Sequence, residues 1–113
     1  MHQISIGTVR LDLLLDAEIG ISGDSVFATA HRREWTAHVT ADREGRFTVP
    51  VRPLLIRGHD TITLVDTGFG DIASLADATV PKGCTLDCLS KLGVSPDDVD
   101  MVIITHAHGD HIQ

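Results

Sequence analysis

The 113-residue chain reads as an α/β (α+β) fold, a mixed sheet with a flanking helix. Three observations predict it. Ile4-Ser5-Ile6 and Val9-Arg10-Leu11-Asp12-Leu13 alternate apolar with polar residues, the period of a half-buried strand. Leu86, Leu89 and Leu92 recur at the i, i+3 spacing of a helix face. Met101-Val102-Ile103-Ile104 is apolar throughout, as a strand covered on both faces should be.

Taken in order, residues 2–15 predict one strand or a short pair ending near Leu15, with Gly7-Thr8 as the bend between its halves. Residues 16–34 are rich in loop chemistry, notably Gly20 and Ser22-Gly23-Asp24-Ser25, and read as a long irregular connection. Residues 35–57 predict a hairpin. Trp35–Thr40 forms one arm, Asp42-Arg43-Glu44-Gly45-Arg46 the polar turn, and Phe47-Thr48-Val49 starts the return arm. Pro50 and Pro53 each remove a backbone donor, so the return arm lies at an edge or crosses irregularly. The strand resumes at Leu54–Arg57.

Gly58-His59-Asp60 is a tight turn. Thr61-Ile62-Thr63-Leu64-Val65 is the clearest strand and ends in Asp66-Thr67-Gly68-Phe69-Gly70. A carboxylate at a strand end, followed by two glycines, asks the backbone to turn sharply beside something polar. Residues 71–93 read as helical, broken at Pro81-Lys82-Gly83 and stopped by Gly93. Ser95-Pro96-Asp97-Asp98 carries an N-cap serine, a proline at the first helical position and acids in the first turn.

Bulk composition narrows the function. Hydrophobic residues make up 42% and charged residues 22%, so the chain is globular and of a length for one domain. A net charge of −7 is the wrong sign for tracking phosphates, which argues against a nucleic-acid partner. No apolar run approaches spanning length, so no membrane partner is expected. Cys84 and Cys88 suit a reducing compartment and read as structural thiols, and the expected location is cytoplasmic.

The chemistry concentrates in Thr105-His106-Ala107-His108-Gly109-Asp110-His111. On extended backbone, residues i and i+2 point the same way, so His106 and His108 can present two imidazoles to one divalent ion. Asp110 and His111 are adjacent and diverge after Gly109, which suits a second ion nearby. Four potential ligands ending an apolar strand are hard to explain as packing.

This stretch resembles the H-x-H-x-D-H signature of the metallo-β-lactamase superfamily. Leu64-Val65-Asp66-Thr67-Gly68 resembles that superfamily's strand ending in Asp-Thr-Gly. The run Gly93–Asp100 is similar to the segment that leads into its metal strand. The resemblance covers residues 50–112 well and the first 50 loosely. It implies an αββα sandwich with His106 and His108 on one metal ion and Asp110 and His111 on the other. It also implies Asp110 as the catalytic proton handler and Asp66 as a brace behind the ligand loop. The cofactor implied is zinc, one or two ions, with other divalent metals as alternatives. The activity implied is that of a hydrolase attacking a lactone, ester or thioester carbonyl, similar to acyl-homoserine lactonases and hydroxyacylglutathione hydrolases.

The family pattern continues with a further His, a bridging Asp and a final His from later loops. The resemblance therefore implies that residues 1–113 are a partial metallo-β-lactamase-like domain, its N-terminal half, with the C-terminal half absent. Two alternatives follow. One is a truncated metal-binding fragment without turnover, self-associating through an uncovered sheet face. The other is a nuclease of the same superfamily, which the net charge disfavours.

Overall fold

The computed structural model describes residues 2–70 and 83–113. Contacts divide the chain into two compact units, residues 1–17 with 50–113, and residues 18–49.

The first unit is built on a five-stranded mixed sheet. Strands β1 (His2–Ile6) and β2 (Val9–Leu13) form a hairpin in which Ile6 faces Val9. Gly7 takes φ +59° at the first central position of its two-residue turn, where glycine carries no Cβ penalty. The other strands are β5 (Leu54–Arg57), β6 (Ile62–Val65) and β7 (Met101–Ile103), and the order across the sheet is β1-β2-β5-β6-β7. All neighbours are antiparallel except β6 and β7, which run parallel with Val65 opposite Ile103. The mixed sheet and its flanking helix are as the sequence predicts.

That helix, α3 (Thr85–Lys91), lays Cys88 and Leu89 on Leu55 and Leu64 of the sheet and on Leu14 just after β2, and Val94 completes the core. Leu14 and Leu55 are fully buried, each worth about 1.5–3 kcal/mol of transfer free energy. The helix ends as Gly93 predicts. Gly93 takes φ +70°, its N–H reaches Ser90 O at 3.0 Å, and Val94 N–H reaches Leu89 O at 3.0 Å. These two bonds are the Schellman arrangement that satisfies orphaned carbonyls. The earlier part of the predicted helical segment, 71–82, lies outside the described residues. The Ser95 cap forms over Pro96–Asp98, with Asp97 N–H donating to Ser95 Oγ.

One expectation for this unit is corrected. The Met101–Ile104 strand was expected to be covered on both faces, yet Met101, Val102 and Ile103 are 55%, 51% and 45% exposed. β7 is the last strand of the sheet, and the core beneath α3 is built on Leu14, Leu55 and Leu64 instead. An all-apolar strand announces that it wants cover but does not say which segment supplies it.

The second unit corrects two further expectations. The connection expected over 16–34 contains strand β3 (Ala17–Ser22) and two short helical turns, α1 (Gly23–Val26) and α2 (Arg32–Trp35). Trp35–Thr40, expected as a strand, is instead the end of α2 and the turns after it. The return strand β4 (Arg46–Val51) forms as expected, but its partner is β3. The reason is aromatic burial. Trp35 is 4% exposed and stacks on Phe27 at 5.6 Å, and Phe47 lies 6.0 Å from Phe27. A helical turn delivers the indole to that cluster. The 42–46 turn itself is where it was expected, with Asp42 Oδ1 accepting from Arg46 N–H at 2.7 Å.

Candidate metal centre

Parallel pairing brings the ends of β6 and β7 side by side, and Asp66 N–H donates to Ile103 O at 2.8 Å. Immediately after β6, Asp66 takes the left-handed φ of +58°, an uncommon conformation for a non-glycine residue. That turn aims its carboxylate at the loop leaving β7. Asp66 Oδ1 accepts from the Thr105 N–H at 2.8 Å and from the Thr105 hydroxyl at 3.0 Å. Asp66 Oδ2 pairs with His111 Nδ1 at 2.8 Å. The loop's far end is tied down as well, because Thr67 donates to His111 O through its N–H (3.0 Å) and its hydroxyl (3.1 Å). Residues 105–111 are thus hung at both ends from the 66–67 turn.

Burial pushes the Asp66 carboxyl up, but the Thr105 N–H, His111 and the Thr105 hydroxyl outweigh it and hold the group below the usual carboxylate range. An ionised Asp66 can only accept, so its bond to His111 places a proton on Nδ1. A carboxylate behind a histidine in this way is the usual support of a metal-ligating imidazole.

The four predicted ligands approach one another in pairs. The rings of His106 and His108 meet edge to face at 4.6 Å between centroids, and those of His106 and His111 lie 4.0 Å apart. Asp110 Oδ2 stands 3.2 Å from His111 Nε2. The Thr105 hydroxyl sits 3.1 Å from His106 Nδ1, which leaves His106 Nε2 facing away from that contact. His106 and His108 are exposed, while Asp110 and His111 are half-buried. Among the described residues, no group of three or more His, Cys, Asp or Glu is arranged to hold a metal ion. The donor set of imidazole nitrogens with one carboxylate nevertheless fits a divalent transition metal by its chemistry. A cavity of about 90 Å³ adjoins the cluster, lined by Pro50, Val51, Arg52, Pro53, Asp66, Asp110 and His111.

Sequence reasoning overlooked Asp16. It is 3% exposed, and its carboxylate accepts from Phe69 N–H (2.8 Å), Thr85 N–H (2.8 Å) and the Thr85 hydroxyl (2.6 Å). The available signal was the run Leu13-Leu14-Leu15-Asp16, an apolar stretch ending in aspartate like Leu64-Val65-Asp66. Cys84 and Cys88 face each other at 3.9 Å, and burial together with Cys88 pushes the Cys84 thiol up to about 11. Such a thiol is a poor nucleophile at neutral pH, in keeping with a structural role.

The mixed sheet, with its two parallel strands ending beside a histidine-rich loop, defines an α/β fold with a candidate metal centre. Residues 46–112 match the metallo-beta-lactamase superfamily, and the chain belongs to that superfamily. N-acyl homoserine lactonase AiiB of Agrobacterium fabrum is 26% identical over 96% of this chain. The chain spans 40% of that relative's length. A probable metal-dependent hydrolase from Staphylococcus aureus superposes with a TM-score of 0.85 over 96% of this chain and 41% of its own. At 23% identity that likeness shows the fold. AidC, a dizinc quorum-quenching lactonase in complex with a product, is 27% identical with a TM-score of 0.76 over 97% of this chain and 37% of its own. Among the described residues, no helix is long and apolar enough to cross a membrane.

Proposed function

We propose that this chain supplies the metal-binding loop of a metal-dependent lactonase, with esters and thioesters as the neighbouring substrate classes. Residues 1–113 correspond in this reading to the N-terminal part of the family domain. The observation that carries it is the bracket of Asp66 on His111 Nδ1 beside a cluster of three imidazoles. The lactonase relatives AiiB and AidC support the choice of substrate.

His106, His108, His111 and Asp110 would hold the ion, zinc being favoured by the imidazole-rich donor set. When bound, such an ion acts as a Lewis acid that lowers the pKa of water toward about 7 and polarises a carbonyl. The chain's own groups do the rest. Asp66 keeps the His111 proton on Nδ1, so that Nε2 is the ligating atom. Asp110, half-buried and next to His111 Nε2, accepts the proton released as water attacks the carbonyl carbon, then returns it to the leaving alkoxide oxygen. The acyl carbon gains an oxygen, the ring C–O bond breaks, and a hydroxy acid leaves. A cytoplasmic location is supported by the two free thiols, Cys84 and Cys88. The exposed apolar run Met101–Ile104 supports contact with another copy of the chain.

A second reading is metal binding without turnover. It draws on the fact that no three donors converge among the described residues. One experiment separates the two. The purified chain is loaded with zinc and given an N-acyl homoserine lactone in a pH-stat, alongside His106→Ala. Zinc-dependent acid release that the variant lacks supports the lactonase. Zinc uptake with no acid release supports the second reading, and failure to take up zinc ends both.

A further inference from the structure

Asp16 stands apart from the imidazole cluster, yet its partners lead straight to it. Among the described residues it accepts from three donors: Phe69 N–H on Oδ2, and Thr85 N–H and hydroxyl on Oδ1. Two glycines close over the carboxylate. A Cβ on Gly68 would fall 2.4 Å from Asp16 Cγ, and one on Gly83 would fall 2.8 Å from its oxygens. The backbone carbonyl of Asp16 accepts from Cys84 N–H at 3.2 Å and from the Cys84 thiol at 3.0 Å. Asp16 therefore fastens the start of α3 to the turn after β6.

That turn contains two left-handed residues within three positions, Asp66 at φ +58° and Gly68 at φ +84°. The left-handed φ of Asp66, a non-glycine residue, persists only where the surroundings over-determine it. One set of restraints comes from the ligand loop, through Thr105 and His111. The other comes from Asp16, through the Phe69 N–H three residues on.

We infer that Asp16 is a positioning residue for the metal centre: by holding Phe69 it fixes the turn that aims Asp66 at His111 Nδ1, and so selects His111 Nε2 as the coordinating atom. The inference rests on the metal-binding reading above for its consequence, but the His111 geometry it predicts exists without metal. Replacement by asparagine would turn an NH2 group toward one of three donors and release an arm of the clamp.

The test uses the full chain, first metal-free and 15N-labelled, so that the ring nitrogens of His111 report the tautomer. Wild type is expected to hold the proton on Nδ1. Asp16→Asn is expected to average the two tautomers and to weaken zinc binding about tenfold in competition with a chromophoric chelator. Thr85→Val removes only the hydroxyl arm. It is expected to melt lower while keeping the wild-type tautomer and zinc affinity. A folded Asp16→Asn chain with an unchanged tautomer and zinc affinity overturns the inference. So does a Thr85→Val chain that loses both as far as Asp16→Asn does.

Amide exchange gives a reading that depends on neither the asparagine variant nor zinc. In His111→Ala the Phe69 amide is expected to exchange about tenfold faster while the Leu55 amide in β5 does not change, because coupling is reciprocal. An unchanged Phe69 amide overturns the inference. Wild type that takes up no zinc would end the metal reading, and the tautomer and exchange results would still decide the role of Asp16.

Discussion

Asp16 and Asp66 are two versions of one device. Each follows an apolar run, and each accepts from the N–H and the hydroxyl of a single threonine, Thr85 in one case and Thr105 in the other. They differ in the third donor. For Asp16 it is the Phe69 backbone N–H, which can do nothing but donate. For Asp66 it is His111 Nδ1, one of two ring nitrogens that share a mobile proton. The first bracket ends in structure, and the second ends in a group with chemistry. A carboxylate bracket thus becomes functional through the partner it is given, while the bracket itself is ordinary folding.

The largest expected effect falls on the structural bracket. Gly68→Ala places a Cβ at φ +84° and against Asp16. The left-handed backbone costs about 1–2 kcal/mol. Overpacking adds to it, for a total of about 3 kcal/mol in urea unfolding. A loss under about 1 kcal/mol would mean that the Asp16 side of the turn yields easily and that the two brackets differ less than drawn.

Asp12 sharpens the contrast, because it is buried like Asp16 but paired with cations. Arg57 Nε reaches it at 3.0 Å, and Arg10 Nε lies 3.7 Å away. Burial pushes the Asp12 carboxyl up, but the hydrogen bonds of Gln3 and Arg57 and the charges of Arg57 and Arg10 outweigh that and hold it below the usual range. A folded-state value below the unfolded one means stability that is fully present above about pH 4 and lost as pH falls through the folded value. Asp12→Asn is therefore expected to cost about 2 kcal/mol at neutral pH. The gap from wild type should close below about pH 4 in urea titrations run at several pH values. A gap that stays constant into acid would show that the ion pair contributes nothing to folding.

How far the sequence reveals these arrangements depends on the range of the interaction behind each. β1, β2, β5 and β6, the Gly93 stop, the Ser95 cap and the 42–46 turn are written in neighbouring residues, and each forms where expected. His106, His108, Asp110 and His111 are proposed as ligands from their spacing, and Asp66 as their brace from the family resemblance. Asp16 is not legible, because its partners Phe69 and Thr85 are 53 and 69 residues away. Trp35 misled for the same reason. A tryptophan before alternating residues reads locally as strand, but the cluster with Phe27 and Phe47 fixes it at the end of a helical turn. The exposure of β7 is likewise a property of its neighbours, and Met101–Ile104 alone does not contain it.

Asp66→Asn tests the functional bracket with a smaller change. Asparagine tolerates the left-handed φ better than most residues. Its NH2 can donate to His111 Nδ1 if the ring proton moves to Nε2. Folding should therefore suffer by only about 1 kcal/mol. Zinc affinity should fall about 10–100-fold, because the proton now occupies the ligating nitrogen. Chelator competition and thermal melts on the same sample measure both. A large stability loss with unchanged zinc affinity would reverse the assignment and make Asp66 the structural partner of the pair.

His108→Ala has the smallest expected effect on folding. The ring is exposed, and its described contact is the edge of His106 at 4.6 Å. Neither Asp66 nor Asp16 holds it, so neither bracket loses a donor. Its removal should change stability by less than about 0.5 kcal/mol. As a proposed ligand, however, it belongs to the set whose chemistry fits the ion, and its loss should weaken zinc binding at least about tenfold. That separation of effects distinguishes a residue kept for metal from one kept for packing. A variant that melts like wild type and holds zinc equally well would remove His108 from the ligand set and leave His106, Asp110 and His111 to carry it.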